Sequence, residues 1–180
     1  GQWKRAWYYP KNGESMHEAV QRESKAARDS AGILDASTLG KIDIQGTDAS
    51  EFLNRIYTNA WSKLAIGKCR YGLMLNEDGM VYDDGVTTRL DENHYIMTTT
   101  TGGAATVLGK LEDYLQTEWP ELDVYLTSVT DHYATVSVCG PNSKKIVSQV
   151  IPDLDFSDKT FPHMTFKNAK IGKIKCRVMR

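Results

Sequence analysis

At 180 residues, with 41% hydrophobic and 25% charged side chains, the chain is long enough to bury a core and has the make-up of one globular domain or two small packed ones. A net charge of −1 gives no electrostatic case for nucleic acid, where a strongly basic face is expected, and no apolar run approaches the ~20 residues that cross a bilayer. Three widely spaced cysteines, Cys69, Cys139 and Cys176, read as free thiols of a reducing compartment, and the amino end lacks an apolar signal segment. The expectation is a cytoplasmic protein that engages neither nucleic acid nor membrane.

Residues 1–14, with Trp3, Trp7, Tyr8, Tyr9 and Pro10, read as an aromatic, basic arm laid across another part of the protein, with ligand stacking as the alternative. Ser15-Met16-His17-Glu18 has the spacing of a capping box and predicts a helix to about Asp29, with Gly32 just past its end. Short elements begin at Ile33. Residues 41–45 alternate as a strand. Asp48-Ala49-Ser50-Glu51 outlines a second capping box, before a helix whose apolar side is Phe52, Leu53, Ile56 and Tyr57. Residues 71–75 and 80–88 read as a β-hairpin closed by Asn76-Glu77-Asp78-Gly79, and residues 95–99 as a further strand. A helix is expected over 104–116, through Val107, Leu108, Leu111 and Leu115. Strands are expected at 124–127 and 133–138. Gly140-Pro141 then introduces a helix through Val150, with Pro141 in its first turn, and two closing strands follow at about 164–168 and 174–180. Strands joined mostly by hairpins and mixed with helices predict an α+β fold with largely antiparallel sheets.

Much familiar chemistry is missing. His17-Glu18-Ala19-Val20-Gln21 carries Gln where a second zinc-binding histidine is required, and there is no C-x-x-C pair, nucleophile elbow, phosphate loop or dinucleotide fingerprint. No metal site is expected. Lys68 and Arg70 flank Cys69, but neighbours along a strand face opposite ways, so the thiolate gains little from both. The densest polar feature is Tyr82-Asp83-Asp84-Gly85 within the apolar hairpin. In a strand its two carboxylates face opposite sides. Either both serve turn or edge geometry, or one looks into a cavity and directs a proton; Gly85 permits a bulge that re-aims the side chain.

The stretch from Tyr71 to Val86, with its N-E-x-G-x-x-x-D-D pattern, resembles the central hairpin of the glycine-cleavage T-protein family. Residues 31–42, Gly46-Thr47-Asp48-Ala49-Ser50-Glu51-Phe52-Leu53-Asn54 and Val138-Cys139-Gly140-Pro141-Asn142-Ser143 are similar to three further elements of the family, in the same order. That family takes in folate-dependent aminomethyltransferases and the folate domains of dimethylglycine- and sarcosine-oxidising enzymes. Residues 1–8, 57–61, 98–105 and 114–120 are similar to its sarcosine-oxidising branch.

The resemblance implies a T-protein-like folate-binding fold over residues 15–180. It also implies a following strand with a pterin-holding glutamate and a β-rich domain beyond Arg180, so that the folate site within 1–180 is incomplete and this segment alone inactive. It implies a catalytic carboxylate at Asp84 and folate contacts at Leu39, Tyr71 and Thr98, with ordinary core packing as the alternative for Leu39 and Thr98. The implied cofactor is tetrahydrofolate, with flavin and NAD held elsewhere in the full enzyme. The implied partners are the sarcosine-derived imine and the other subunits of such an oxidase. Glycine and 5,10-methylenetetrahydrofolate are the implied products. A non-catalytic folate-binding or subunit-docking module, or a dimethylglycine-oxidising relative, stays open.

Overall fold

The computed structural model describes residues 3–180; Gly1 and Gln2 of the expected arm lie outside the described residues. Among the described residues, four α-helices and nine strands are interspersed along the chain. Helix α1 (Met16–Asp29) starts from the expected capping box: the Glu18 N–H donates to Ser15 Oγ at 3.4 Å and the Ser15 N–H donates to Glu18 Oε2 at 2.9 Å. Tyr9 N–H donates to Glu23, and Arg22 reaches back to the Tyr9 carbonyl, so the segment before α1 is laid along that helix. Trp3 and Trp7 remain exposed.

The centre is a five-stranded sheet of order β3-β4-β5-β2-β6, formed by β2 (Gly40–Gln45), β3 (Cys69–Leu75), β4 (Val81–Asp91), β5 (His94–Thr99) and β6 (Tyr125–Ser128). Every pairing in it is antiparallel. Alternation along the strands sends Ile42, Ile44, Met74, Tyr95 and Met97 to one face. There they pack with Phe52, Leu53 and Ile56 of α2 (Ala49–Ile56), Val107 and Leu111 of α3 (Ala104–Thr117), and Trp61. Each such apolar side chain contributes about 1.5–3 kcal/mol on burial. This cluster is the main core.

Two ribbons stand apart from the central sheet. Strands β1 (Gly32–Asp35) and β7 (Val136–Cys139) pair antiparallel, as do β8 (Phe166–Ile171) and β9 (Ile174–Met179). A second small core of Ile151, Phe156 and Phe161 joins the β8–β9 hairpin to α4 (Ser143–Val150) through Ala169, Cys176, Val178 and Val147. The expected α+β, antiparallel fold is what the chain adopts.

Three local expectations are corrected, and one element is new. Asp48 does not cap α2; its carboxylate accepts the Asp123 N–H at 2.9 Å, a tertiary tie that competes with capping. The strand expected from residue 133 begins at Val136, because Thr130–His132 closes into a single 3-10 turn. Pro141 precedes the N-cap Asn142 of α4 and so lies outside the first turn. The short 3-10 helix Trp61–Lys63 was not expected; its apolar tryptophan is in the core.

Candidate functional site

The hairpin β3–β4 turns on Asn76, whose side-chain oxygen accepts the N–H groups of Asp78 and Met80 at 3.2 and 2.9 Å, while Gly79 takes the positive φ of 77° that the turn requires. Register then fixes the faces. Leu73 lies opposite Asp84, Tyr71 opposite Val86, and Lys41 of β2 opposite Thr98 of β5. With Met74 opposite Asp83 and Ile42 opposite Met97 on the core side, Tyr71, Asp84 and Thr98 share the other face.

The two adjacent carboxylates divide accordingly. Asp83, 5% exposed, points toward the core. Its Oδ1 accepts the backbone N–H of Asp84 at 2.7 Å and of Thr100 at 3.2 Å. Its Oδ2 has no hydrogen-bond partner among the described residues, and it lies so near Gly103, just before α3, that a Cβ there would come within 2.4 Å of it. A buried negative charge at that spot is favoured by the amino end of α3. Asp83 therefore ties β4 to the start of α3.

Asp84, by contrast, is half-buried on the open face. The Tyr71 hydroxyl donates to its Oδ2 at 2.7 Å, and the carboxylate in turn holds the Tyr71 phenol above its ordinary pKa. Asp84 Oδ1 makes no hydrogen bond to the described residues. One acceptor oxygen is thus pinned and the other is available, beside a tyrosine ring that is 50% exposed.

Gly85 is where β4 leaves the regular ladder. A Cβ on it would sit 1.9 Å from the Thr98 carbonyl oxygen, so only glycine permits this approach. The bulge expected beside Gly85 lies three residues earlier: Met74 pairs with Asp83 and Leu75 with Val81, leaving Tyr82 extra. Next to Gly85 the Thr98 hydroxyl accepts the Val86 N–H at 2.9 Å and donates to the Val86 carbonyl at 3.0 Å. It stands in for a backbone partner and is fully used within the sheet. Leu39 lies just before β2, beside Thr100 in the continued register, and Thr38 meets Thr101 hydroxyl to hydroxyl at 3.0 Å. The 37–39 turn, the Asp83–Val86 stretch and the end of β5 therefore meet at one end of the sheet.

Sequence reasoning missed what fixes that turn. Lys41 is only 4% exposed, and its ammonium donates to the carbonyls of Ser37 at 2.9 Å, Leu39 at 3.0 Å and Thr130 at 3.3 Å. Burial pushes its pKa below the usual lysine value. Alternation in residues 41–45 places Lys41 on the face opposite Ile42 and Ile44, and no local signal marks it as buried. Cys69 is buried, and desolvation raises its thiol, consistent with a structural sulfur.

The family model described as the GCVT N-terminal domain matches residues 1–180. The chain belongs to the GCVT N-terminal domain family. It is 58% identical to sarcosine oxidase subunit alpha of Corynebacterium sp. strain U-96, over 100% of this chain and 19% of that protein. The chain thus spans about a fifth of the length of that curated relative. Among solved structures, glycine cleavage system aminomethyltransferase T from Bartonella henselae superposes with a TM-score of 0.71 at 24% identity, covering 82% of this chain and 38% of that one. A chain of heterotetrameric sarcosine oxidase from Corynebacterium sp. U-96, in complex with pyrrole 2-carboxylate, matches with a TM-score of 0.55 at 12% identity, covering 91% and 78%. At those identities the two structures speak for the GCVT fold alone.

No cluster of potential metal ligands exists among the described residues. No helix among them is long and apolar enough to cross a membrane. A cleft of about 770 Å3 lies away from Asp84, between Tyr133, the Ile151–Leu154 segment and the β8–β9 hairpin. On the GCVT face itself, one oriented carboxylate with a free oxygen stands beside a half-exposed aromatic ring. That arrangement can accept a proton or hydrogen bond from a flat nitrogen heterocycle lying on the ring.

Proposed function

We propose that this chain is the folate-facing segment of a sarcosine oxidase alpha subunit, and that Asp84 is its catalytic carboxylate. The observation that carries the reading is the convergence of Tyr71, Asp84 and Thr98 on one face of one sheet, with Asp84 oriented by Tyr71 and leaving one oxygen free. A pterin fits this set: the Tyr71 ring offers a stacking surface, and Asp84 Oδ1 offers an acceptor for a ring N–H. Leu39 supplies apolar surface at the rim. Thr98 contributes by shaping β4, since its hydroxyl is consumed by Val86.

Tetrahydrofolate supplies the two nitrogens that take up the one-carbon unit. In the overall conversion the imine of sarcosine, CH2=NH+–CH2–COO−, and tetrahydrofolate become glycine and 5,10-methylenetetrahydrofolate. Both N–H protons lost by the folate end on the glycine amine, which leaves as an ammonium. Asp84 orients the nitrogen that bears a departing proton and accepts that proton at Oδ1 for transfer to the amine. Holding the two reactants together supplies much of the acceleration. Flavin and NAD belong to other parts of the enzyme, and its remaining subunits are the macromolecular partners. The free cysteines suit a reducing cytoplasm.

Asp84→Asn in the full-length enzyme tests the assignment. Methylene-folate output should fall by about 10^2- to 10^4-fold, the usual worth of a general acid–base group. Sarcosine oxidation should continue, and folate affinity should change by less than about tenfold because the amide keeps an acceptor in place. Unchanged methylene-folate output overturns the catalytic role.

A further inference from the structure

Asp84 stands where two strands part. The ladder between β4 and β5 pairs Thr87 with Met97, Thr88 with Ile96 and Arg89 with Tyr95, and is not continued toward Asp84. Extended in the same register, it would set Val86 opposite Thr98 and Asp84 opposite Thr100. At both places a side-chain oxygen bridges the strands instead. The Thr98 hydroxyl accepts the Val86 N–H at 2.9 Å and donates to the Val86 carbonyl at 3.0 Å. Asp83 Oδ1 accepts the Asp84 N–H at 2.7 Å and the Thr100 N–H at 3.2 Å. Gly85 lies between the two bridges, against the Thr98 carbonyl.

The two supports of Asp84 are therefore different in kind. Tyr71 sets where the carboxylate points, through its hydroxyl at 2.7 Å from Oδ2. The main chain that carries the side chain is held on the β5 side by Asp83. A buried carboxylate is a costly bridge: Asp83 is 5% exposed, and its Oδ2 has no hydrogen-bond partner among the described residues. A hydroxyl serves the same purpose at Thr98. What the longer carboxylate adds is capacity, since one oxygen takes N–H groups from two strands while the other faces Gly103 at the positive start of α3.

We propose that Asp83 is the positioning residue for Asp84: by bridging the amides of Asp84 and Thr100 it fixes the main chain of β4 at the point from which the catalytic side chain leaves. The inference rests on Asp84 as the catalytic carboxylate, and it gives the neighbouring acid a part in turnover without contact with folate. Loss of the bridge frees two N–H groups, those of Asp84 and Thr100, and lets the β4 backbone shift under Asp84. The Tyr71 ring, carried by β3, stays in place as a stacking surface. The defect therefore falls on turnover and not on folate binding.

The test uses the full-length enzyme with its partner subunits and three variants: Asp83→Ala, Asp83→Asn, and Leu111→Ala in the core of α3 as the control for lost stability alone. Asp83→Ala should lower kcat for methylene-folate formation about 10- to 100-fold, with the folate KM changed less than about threefold and sarcosine oxidation unchanged. Asp83→Asn keeps an acceptor for both N–H groups and should restore kcat to within about threefold of wild type. Leu111→Ala should keep the wild-type kcat despite its lower stability. Wild-type kcat in Asp83→Ala, an Asp83→Asn as slow as the alanine variant, or an equal loss in Leu111→Ala overturns the proposal. If Asp83→Ala does not assemble, Asp83→Ser, too short to span both N–H groups, reads the same split; failure of both to assemble makes Asp83 a folding residue and overturns the proposal as well. Asp84→Asn, measured alongside, separates the two ideas. Unchanged output there removes the catalytic reading and this inference with it, whereas collapse there beside wild-type kcat in Asp83→Ala overturns this inference alone.

Discussion

Replacing Lys41 with methionine isolates the clamp under the candidate face. Methionine fills nearly the same volume, so no cavity enters the comparison. What is lost is an ammonium satisfying three backbone carbonyls, two at 2.9 and 3.0 Å and one, more weakly, at 3.3 Å. Charge-assisted bonds contribute about 1.5–3 kcal/mol each, and relief from burying the charge offsets part of the loss, which leaves about 3 kcal/mol of destabilisation. For a chain of this size that lowers Tm by roughly 6–12 °C. Urea denaturation of the full-length variant should show a lower midpoint with an unchanged slope for the transition containing this domain. The pH dependence supplies an internal check. Burial depresses the folded pKa of Lys41 below the ordinary 10.5, so the unfolded chain holds the proton to higher pH. Stability attributable to Lys41 is therefore constant at neutral pH, rises as pH climbs through the folded value toward 10.5, and that rise is absent from the methionine variant. Wild-type stability in Lys41→Met, within about 0.5 kcal/mol, refutes the clamp.

Other substitutions separate framework from chemistry. Gly85→Ala forces a methyl into the Thr98 carbonyl and should cost about 1–3 kcal/mol in denaturant midpoint, as overpacking does. Thr98→Val keeps the shape but leaves the Val86 N–H and carbonyl without the hydroxyl; a loss of about 1–3 kcal/mol with intrinsic folate affinity retained is expected from melting and titration. Tyr71→Phe keeps the ring and frees Asp84 Oδ2, so the turnover number for methylene-folate formation should fall about tenfold with little change in the folate KM. Tyr71→Leu should raise the folate KM as well, because the stacking surface goes with the hydroxyl.

Much of the architecture was legible because it is local. The Ser15–Glu18 box, the Asn76–Gly79 turn and the period-two runs on either side of it each state their own geometry, and the structure follows them. That Asp83 and Asp84 divide between core and open face also follows from alternation alone. What could not be read was tertiary choice. Asp48 has the chemistry of a cap but bonds Asp123, 75 positions away. Lys41 sits in a strand where no local signal marks it as buried, yet it is buried under a turn 89 positions distant in sequence. The T-protein resemblance gave Tyr71 and Thr98 as folate contacts, with core packing as the alternative for Thr98. Only coordinates show that one hydroxyl orients Asp84 and the other mends a broken ladder.

A crystal structure of the full-length enzyme with folinic acid bound, a stable reduced-folate analogue, tests the central claim most directly. The account predicts the pterin against the Tyr71 ring, with a ring nitrogen within about 3.2 Å of the Asp84 carboxylate. A pterin seated elsewhere, with Asp84 facing only solvent, contradicts it.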